Sequence, residues 1–257
     1  MSSGGRVNRD DLSWEVEQAC REAWPAGLET VALGWVFRRS GGRIRRPNSA
    51  NPLRGRRGAP ERVIDAAEAF YGGHGQAPLF RVPEIAPELE LELDRRNYGR
   101  EGGTIHLHAE IDALQGHSDD DITVSAAPTE NWFEARFRTG GYDNAERRIF
   151  RHMTGLIMGD RAFVSCERDG QIAAFAFGVI RNRLLVLEAV ETEAGFRQQG
   201  LGRRTVGRLI GWARWAGAQA GCLQVVADNM PARALYASLG FSRELYRYHY
   251  RRKSIAA

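Results

Sequence analysis

The stretch that most limits how this 257-residue chain can fold is Phe196-Arg197-Gln198-Gln199-Gly200-Leu201-Gly202. It lies between an apolar run, Leu184 to Val190, and a segment of helical periodicity carrying Val206, Leu209, Ile210, Ala213 and Ala216 on one face. That pattern is a strand, a glycine-bearing turn and a helix N-terminus. Two glycines at this spacing let the backbone come close to a ligand, and the unpaired N–H groups of a first helical turn point at whatever sits there. An anion is the guest such a turn favours, through the N–H groups and the helix dipole together.

Around this stretch the chain alternates strands and helices. Before it, Arg161 to Glu167, Gln171 to Ile180 and Leu184 to Thr192 read as three strands of an antiparallel meander, turned at Arg168-Asp169-Gly170 and Arg181-Asn182-Arg183. After it come a strand from Cys222 to Ala227, a helix opened by Asp228-Asn229-Met230-Pro231, and an aromatic-rich closing strand from Phe241 to Arg251. Helices are expected at Leu12 to Trp24, Glu61 to Tyr71, Glu88 to Tyr98, Asn131 to Phe137 and Ala145 to Met158. Strands are expected at Pro78 to Val82 and Thr104 to Ile111, with a hairpin running out over Thr30 to Arg38, turning at Ser40-Gly41-Gly42 and returning over Arg43 to Pro47. The acidic, small-residue stretch Gln115 to Glu130 reads as a linker, which divides the chain into residues 1–120 and 121–257.

Hydrophobic residues make up 43% and charged residues 26%, the balance of a globular chain, and no apolar run reaches the roughly 18 residues of a membrane helix. The polar opening residues lack the apolar core of a secretion signal, so a cytoplasmic protein is expected. Cys20, Cys166 and Cys222 have no metal-ligand spacing and are expected as buried free thiols. Net charge is +4. The basic residues are arginines apart from Lys253, and they crowd into one cluster: Arg38, Arg39, Arg43, Arg45, Arg46, Arg54, Arg56 and Arg57. The cluster suits an acidic or nucleic-acid partner by charge. With no RNA-binding signature interleaved, a solvated hairpin and loop is preferred and nucleic acid is not expected. His106 and His108 share one face of a strand without a third ligand of suitable type nearby, which favours two polar-face histidines and no metal.

The run Arg197-Gln198-Gln199-Gly200-Leu201-Gly202, with Asp228-Asn229 and then Leu235-Tyr236-Ala237-Ser238-Leu239-Gly240-Phe241 downstream, resembles the GNAT superfamily of N-acetyltransferases over about residues 131–251. The resemblance implies an α/β (α+β) fold in which a mixed, mostly antiparallel central sheet is flanked by helices. It further implies that the acetyl-CoA pyrophosphate rests on Arg197, Gln198, Gln199, Gly200, Leu201 and Gly202. The backbone of Ala189, Val190 and Glu191 would meet the pantetheine arm, Asn229 would stand at the family's asparagine, and Tyr236 would protonate the departing thiolate. A phenol of pKa about 10 can donate to a thiolate of conjugate-acid pKa near 8.5 without ionising at neutral pH.

For the general base, Glu188 ranks first because it interrupts an apolar strand, followed by Glu191 and Glu193. The odd separation of Glu188 and Glu191 places them on opposite faces of a regular strand. The first half resembles the same architecture in shortened form, but Arg57-Gly58-Ala59-Pro60 stands where its cofactor loop would be, and the proline removes an N–H donor. The expectation is therefore two GNAT-like domains, degenerate in residues 1–120 and catalytic in residues 121–257. It is a metal-free acetyl-CoA-dependent N-acetyltransferase acting on a small-molecule amine by direct attack, as a monomer or homodimer. A non-catalytic CoA-responsive binding module and a protein N-acetyltransferase are the alternatives.

Overall fold

The computed structural model describes residues 8–253 apart from 118 and 120. Its elements, in chain order, are α1 (Arg9–Ala23), β1 (Leu28–Ala32), β2 (Trp35–Arg39), β3 (Ala50–Pro52), α2 (Pro60–Gly72), β4 (Leu79–Pro83), α3 (Glu90–Arg95) and β5 (Tyr98–Glu110). These are followed by β6 (Ile122–Ser125), α4 (Glu130–Gly140), α5 (Asn144–Gly155), β7 (Arg161–Arg168), β8 (Gln171–Arg181), β9 (Leu184–Thr192), α6 (Leu201–Trp215), β10 (Ala220–Val226), α7 (Met230–Ser238) and β11 (Arg243–Lys253). All eleven strands join one sheet in the order β1-β2-β3-β4-β11-β5-β10-β9-β8-β7-β6.

The same succession occurs twice along the chain. An antiparallel pair, β2 with β3 or β8 with β9, is followed by a parallel crossover through a helix, α2 to β4 or α6 to β10. A second helix, α3 or α7, then leads into the last strand of each half. Those last strands are exchanged: β5 pairs with β10, β11 pairs with β4, and β5 and β11 pair with each other. Each half of the sheet is thus continued by a strand from the other half.

Two apolar clusters sandwich the C-terminal strands. On one face α6 and α7 bring Leu201, Val206, Leu209 and Tyr236 onto Leu185, Leu187, Leu223 and Val225. On the other, α1, α4 and α5 pack Val16, Trp132, Phe137 and Phe150 onto Phe175, Phe177, Val186 and Cys222. A third cluster holds α2 and α3 against β2 and β4 through Trp35, Phe37, Val63, Ile64, Phe80 and Leu93. Buried aromatic and aliphatic side chains of this size each contribute about 1.5–3 kcal/mol, so the sandwich is the main source of stability.

Several sequence expectations change. The first hairpin turns at Leu33-Gly34, both at positive φ, within the run read as one strand, and Arg43 to Pro47 is not a strand. A two-residue turn whose residues are both left-handed matches the twist of the flanking strands, which is why it prevails over the Ser40-Gly41-Gly42 signal. The stretch read as a linker contains the edge strand β6, paired with β7. The helix expected over Glu88 to Tyr98 spans Glu90–Arg95 and ends before Asn97 at φ 60. His106 and His108 do not face solvent. They are 0% and 2% exposed, and His106 stacks on Tyr246 with ring centroids 4.2 Å apart.

Candidate active site

Strands β9 and β10 run parallel and in register from Leu184 and Ala220 to Leu187 and Leu223, and there their pairing stops. Beyond that point β9 stays with β8 and β10 stays with β5, which leaves an opening in the sheet between Glu188–Thr192 and Gln224–Val226. At the same point β9 bulges. Phe177 faces Glu188 but Phe175 faces Glu191, so three residues of β9 match two of β8, and Ala189 takes a φ of 49°. A left-handed alanine costs roughly 1–2 kcal/mol, the kind of strain that collects at functional sites. The bulge lifts Ala189 and Val190 out of the β8 register.

The bulge also overturns the parity argument for the two carboxylates. Directly opposed residues share a face, and Phe175 and Phe177 share one, so Glu188 and Glu191 lie on the same side of the sheet despite their odd separation. Each carboxylate has a guanidinium partner. Arg46, from the loop before β3, grips Glu188 through both Nη atoms, Arg136 of α4 donates to Glu191, and Arg138 donates to Glu193. Glu188 is 5% exposed. A carboxylate has about four lone-pair positions, so Glu188 keeps acceptor capacity beyond its two bonds to Arg46.

The turn between β9 and α6 is built as the sequence suggests. Gln198 and Gly200 are both left-handed, at φ 62 and 75, and Gly200 caps α6 without a side-chain hydrogen bond to its first turn. Those first-turn N–H groups therefore point out of the helix end as an anion cradle. A Cβ on Gly202 would approach Thr192 Oγ1 to 3.1 Å, so glycine there permits the close seating of the helix against the end of β9. Arg197 Nε donates to the Thr192 carbonyl at 3.2 Å, tying the turn to the same strand, while Leu201 is buried in the core below.

On α7, Asn229 caps the helix by accepting from the Ala232 N–H at 3.2 Å, which leaves its amide nitrogen for other use. Tyr236 is 7% exposed and packs edge-to-face on Phe241 at 6.2 Å. Burial, with the negative charge of Glu188 added, raises the Tyr236 phenol above its ordinary range, so it is protonated at neutral pH.

Sequence reasoning missed Arg46 as a site residue. The signal was present in Glu188, whose place in an apolar strand requires a cation, but which arginine supplies it is a tertiary fact. The cluster that contains Arg46 is largely occupied within the fold. Arg38 pairs with Glu29 at 2.8 Å, Arg43 with Glu146 at 3.2 Å, Arg45 with Glu101 at 3.7 Å, Arg54 with Asp11 and Arg57 with Glu88. That use of the charges leaves little of the cluster as an open basic surface for an acidic macromolecule, Arg45 being the member whose acid is shared with Arg252. Among the described residues, no group of three or more His, Cys, Asp or Glu is placed to hold a metal, and no helix is long and apolar enough to cross a membrane.

Comparison with known proteins agrees with this geometry. An uncharacterized N-acetyltransferase, YobR, of Bacillus subtilis is 22% identical over 250 residues, covering 95% of this chain and 99% of that protein. The [Ribosomal protein bS18]-alanine N-acetyltransferase of Escherichia coli is 34% identical over 83 residues, 32% of this chain and 56% of that protein. Among solved structures, a GCN5-related N-acetyltransferase from Kribbella flavida matches with a TM-score of 0.68 at 16% identity, covering 98% of both chains. A tandem GNAT protein from the clavulanic acid biosynthesis pathway matches with a TM-score of 0.61 at 13% identity, over 82% of this chain and 78% of that one. Residues 14–251 match the family described as "Probable histone acetyltransferase Rv0428c C-terminal". With that match spanning nearly the whole chain, around a parted β9/β10 pair and a glycine-capped α6, the protein belongs to the GNAT superfamily of N-acetyltransferases.

Proposed function

We propose that the protein transfers an acetyl group from acetyl-CoA to the primary amine of a small molecule, by direct attack with donor and acceptor bound together. The observation that carries this reading is the opening between β9 and β10, which has the Gly200 turn at one end and both Glu188 and the buried Tyr236 close by. The pyrophosphate would rest on the N–H groups of Gln198 to Gly202, with Arg197 beside them, and the pantetheine arm would meet the backbone of Ala189, Val190 and Glu191. Asn229 would offer its free amide nitrogen. The amine nitrogen attacks the thioester carbonyl, the C–S bond breaks, Tyr236 gives its proton to the sulfur, and the proton lost by the amine passes to Glu188. Glu191, held by Arg136 on the same face, adds negative charge that favours an incoming ammonium.

In this reading the chain is a tandem of two GNAT-like repeats, residues 1–120 and 121–257, acting in the cytoplasm. The second repeat carries the donor site and the first supplies Arg46 to the acceptor side. In the first, Ala59 caps α2 without a side-chain bond and Pro60 follows at the first turn, which supports a loop with one N–H donor fewer.

Calorimetry with acetyl-CoA tests the donor half: binding at tens of micromolar or tighter is expected, and its loss in Gly200→Pro. No binding, or binding unchanged in that variant, removes the assignment. Tyr236→Phe should lower kcat while leaving acetyl-CoA affinity in place, and wild-type turnover would remove the acid role.

A further inference from the structure

Where β10 leaves β9, a cavity of about 200 Å³ opens beside Gln224 and Val226, on the sheet face that also carries Glu188. It is bounded by the loop carrying Arg45 and Arg46 and by Tyr248 and Tyr250 of β11. Small-molecule pockets for drug-sized ligands run from about 300 to 1,000 Å³, so this one admits a ligand nearer an amino acid in size. Among the described residues its lining holds two guanidinium groups and no carboxylate.

The two cations are not equivalent. Arg46 is matched by Glu188. Arg45 lies over the Tyr250 ring at 4.6 Å, and its one carboxylate contact among the described residues, Glu101 at 3.7 Å, is shared with Arg252, which is nearer at 3.2 Å. One acid therefore serves two arginines, and the side chain of Arg45 is 37% exposed at the cavity. A guanidinium stacked on an aromatic ring keeps its N–H donors at its rim, in the fork that matches a carboxylate. Tyr248 donates to Gln224 at 2.7 Å, which leaves the Gln224 amide N–H₂ as a further donor at the same wall. The cavity thus offers donors and positive charge to one end of a ligand, and Glu188, outside its lining and held by Arg46, lies on the same face of the sheet.

Resting on the acetyl-transfer reading above, the geometry points to an acceptor that is a small amine bearing a carboxylate, with Arg45 as the residue that selects for the acid. The charge on Arg45 disfavours a lysine-rich peptide, which would bring like charge to it.

The test uses matched pairs of acceptors: glycine, 3-aminopropanoate and 4-aminobutanoate against their carboxamides, together with a lysine-rich histone-tail peptide. CoA release gives kcat/KM for each. For at least one pair the acid should exceed its amide by about ten- to a hundred-fold, the size expected when a charge-assisted recognition contact is lost. In Arg45→Gln that ratio should fall towards one with acetyl-CoA affinity retained, and Arg45→Lys should restore part of it. Amides used as well as acids, no acid accepted, a preferred histone peptide, or an Arg45→Gln ratio equal to wild type each overturns the proposal. Ligand-observed NMR of the same pairs without donor reads the anion site on its own. Absent acetyl-CoA binding would thereby be charged to the donor assignment and not to Arg45.

Discussion

Removing Arg46 is the most informative single perturbation. The structure places its two Nη groups on the two oxygens of Glu188, a carboxylate 5% exposed beside the parted strands. In Arg46→Met the carboxylate remains buried with no counter-ion. Breaking a buried pair from one side costs about 3–5 kcal/mol, and because the Arg46 side chain is itself 24% exposed, water reaches the rim and the lower end applies, about 3 kcal/mol. For a chain of this size that lowers Tm by about 6–12 °C, at roughly 2–4 °C per kcal/mol. Glu188→Gln is milder, about 1–2 kcal/mol, since the amide oxygen still accepts and Arg46 can turn towards water. The double variant should recover part of the sum, with a coupling of about 1–3 kcal/mol. Thermal and urea unfolding at pH 7 measure all four forms. A loss below about 1 kcal/mol in Arg46→Met, or additive losses within about 0.5 kcal/mol, would refute the argument that the loop before β3 and β9 are joined through this pair.

Gly200→Ala meets open space, so its penalty is only the left-handed conformation, about 1–2 kcal/mol. Unfolding should register that loss, while acetyl-CoA affinity by calorimetry changes by less than about threefold because the N–H groups remain. Stability should fall on acidification below about pH 6.5, before the carboxylates titrate. Burial first, and the charges of Arg81 and Arg46 next, hold His106 well below its ordinary range, so the unfolded chain binds its proton first and stability rises with pH by up to about 1.4 kcal/mol per unit. His106→Gln should lessen that slope in urea unfolding measured from pH 5 to 7, the remainder coming from His108 and His249, which burial also holds below their ordinary range. The kcat profile should show no loss from phenolate formation between about pH 8 and 10, since burial and Glu188 hold the Tyr236 proton above its ordinary value. Finally, a protease site inserted in the exposed loop at Ala126-Ala127 should yield, on cutting, two pieces that elute together in size-exclusion chromatography, because β5 and β11 each lie among the other piece's strands.

The elements with local signals were legible in the sequence. The meander β7 to β9 was marked by Asp169-Gly170 and Asn182-Arg183, all four of which take positive φ. The first hairpin was hidden because Leu33-Gly34 sits in an unbroken β-rich run, where one glycine reads as a strand residue as easily as a turn. The histidines were placed on the correct strand but given the wrong surroundings. Alternation shows which residues share a face, whereas the cover over that face, here Tyr246 and Arg81, comes from segments far away in the chain.

The site itself divides along the same line. The glycine turn is a local object, a turn and a helix start contiguous in sequence, and seven adjacent residues were enough to place it. The opposite side is assembled from Glu188 on β9, Gln224 on β10, Tyr248 and Tyr250 on β11, and a loop more than a hundred residues earlier. Strand exchange explains why these meet: β11 carries its tyrosines to the junction because it pairs with β4 as well as β5, and the loop before β3 lies next to the same junction. The bulge at Ala189 acts within the strand to the same end. By inserting one residue it turns Glu191 to the side of Glu188, so that two carboxylates and their arginines share one face of the opening. Under the proposed function the donor side is local and the acceptor side tertiary, so changes in either half would alter the second while leaving the first intact. In that proposal the acceptor would follow from Arg45 and the tyrosines of β11 rather than from the glycine turn.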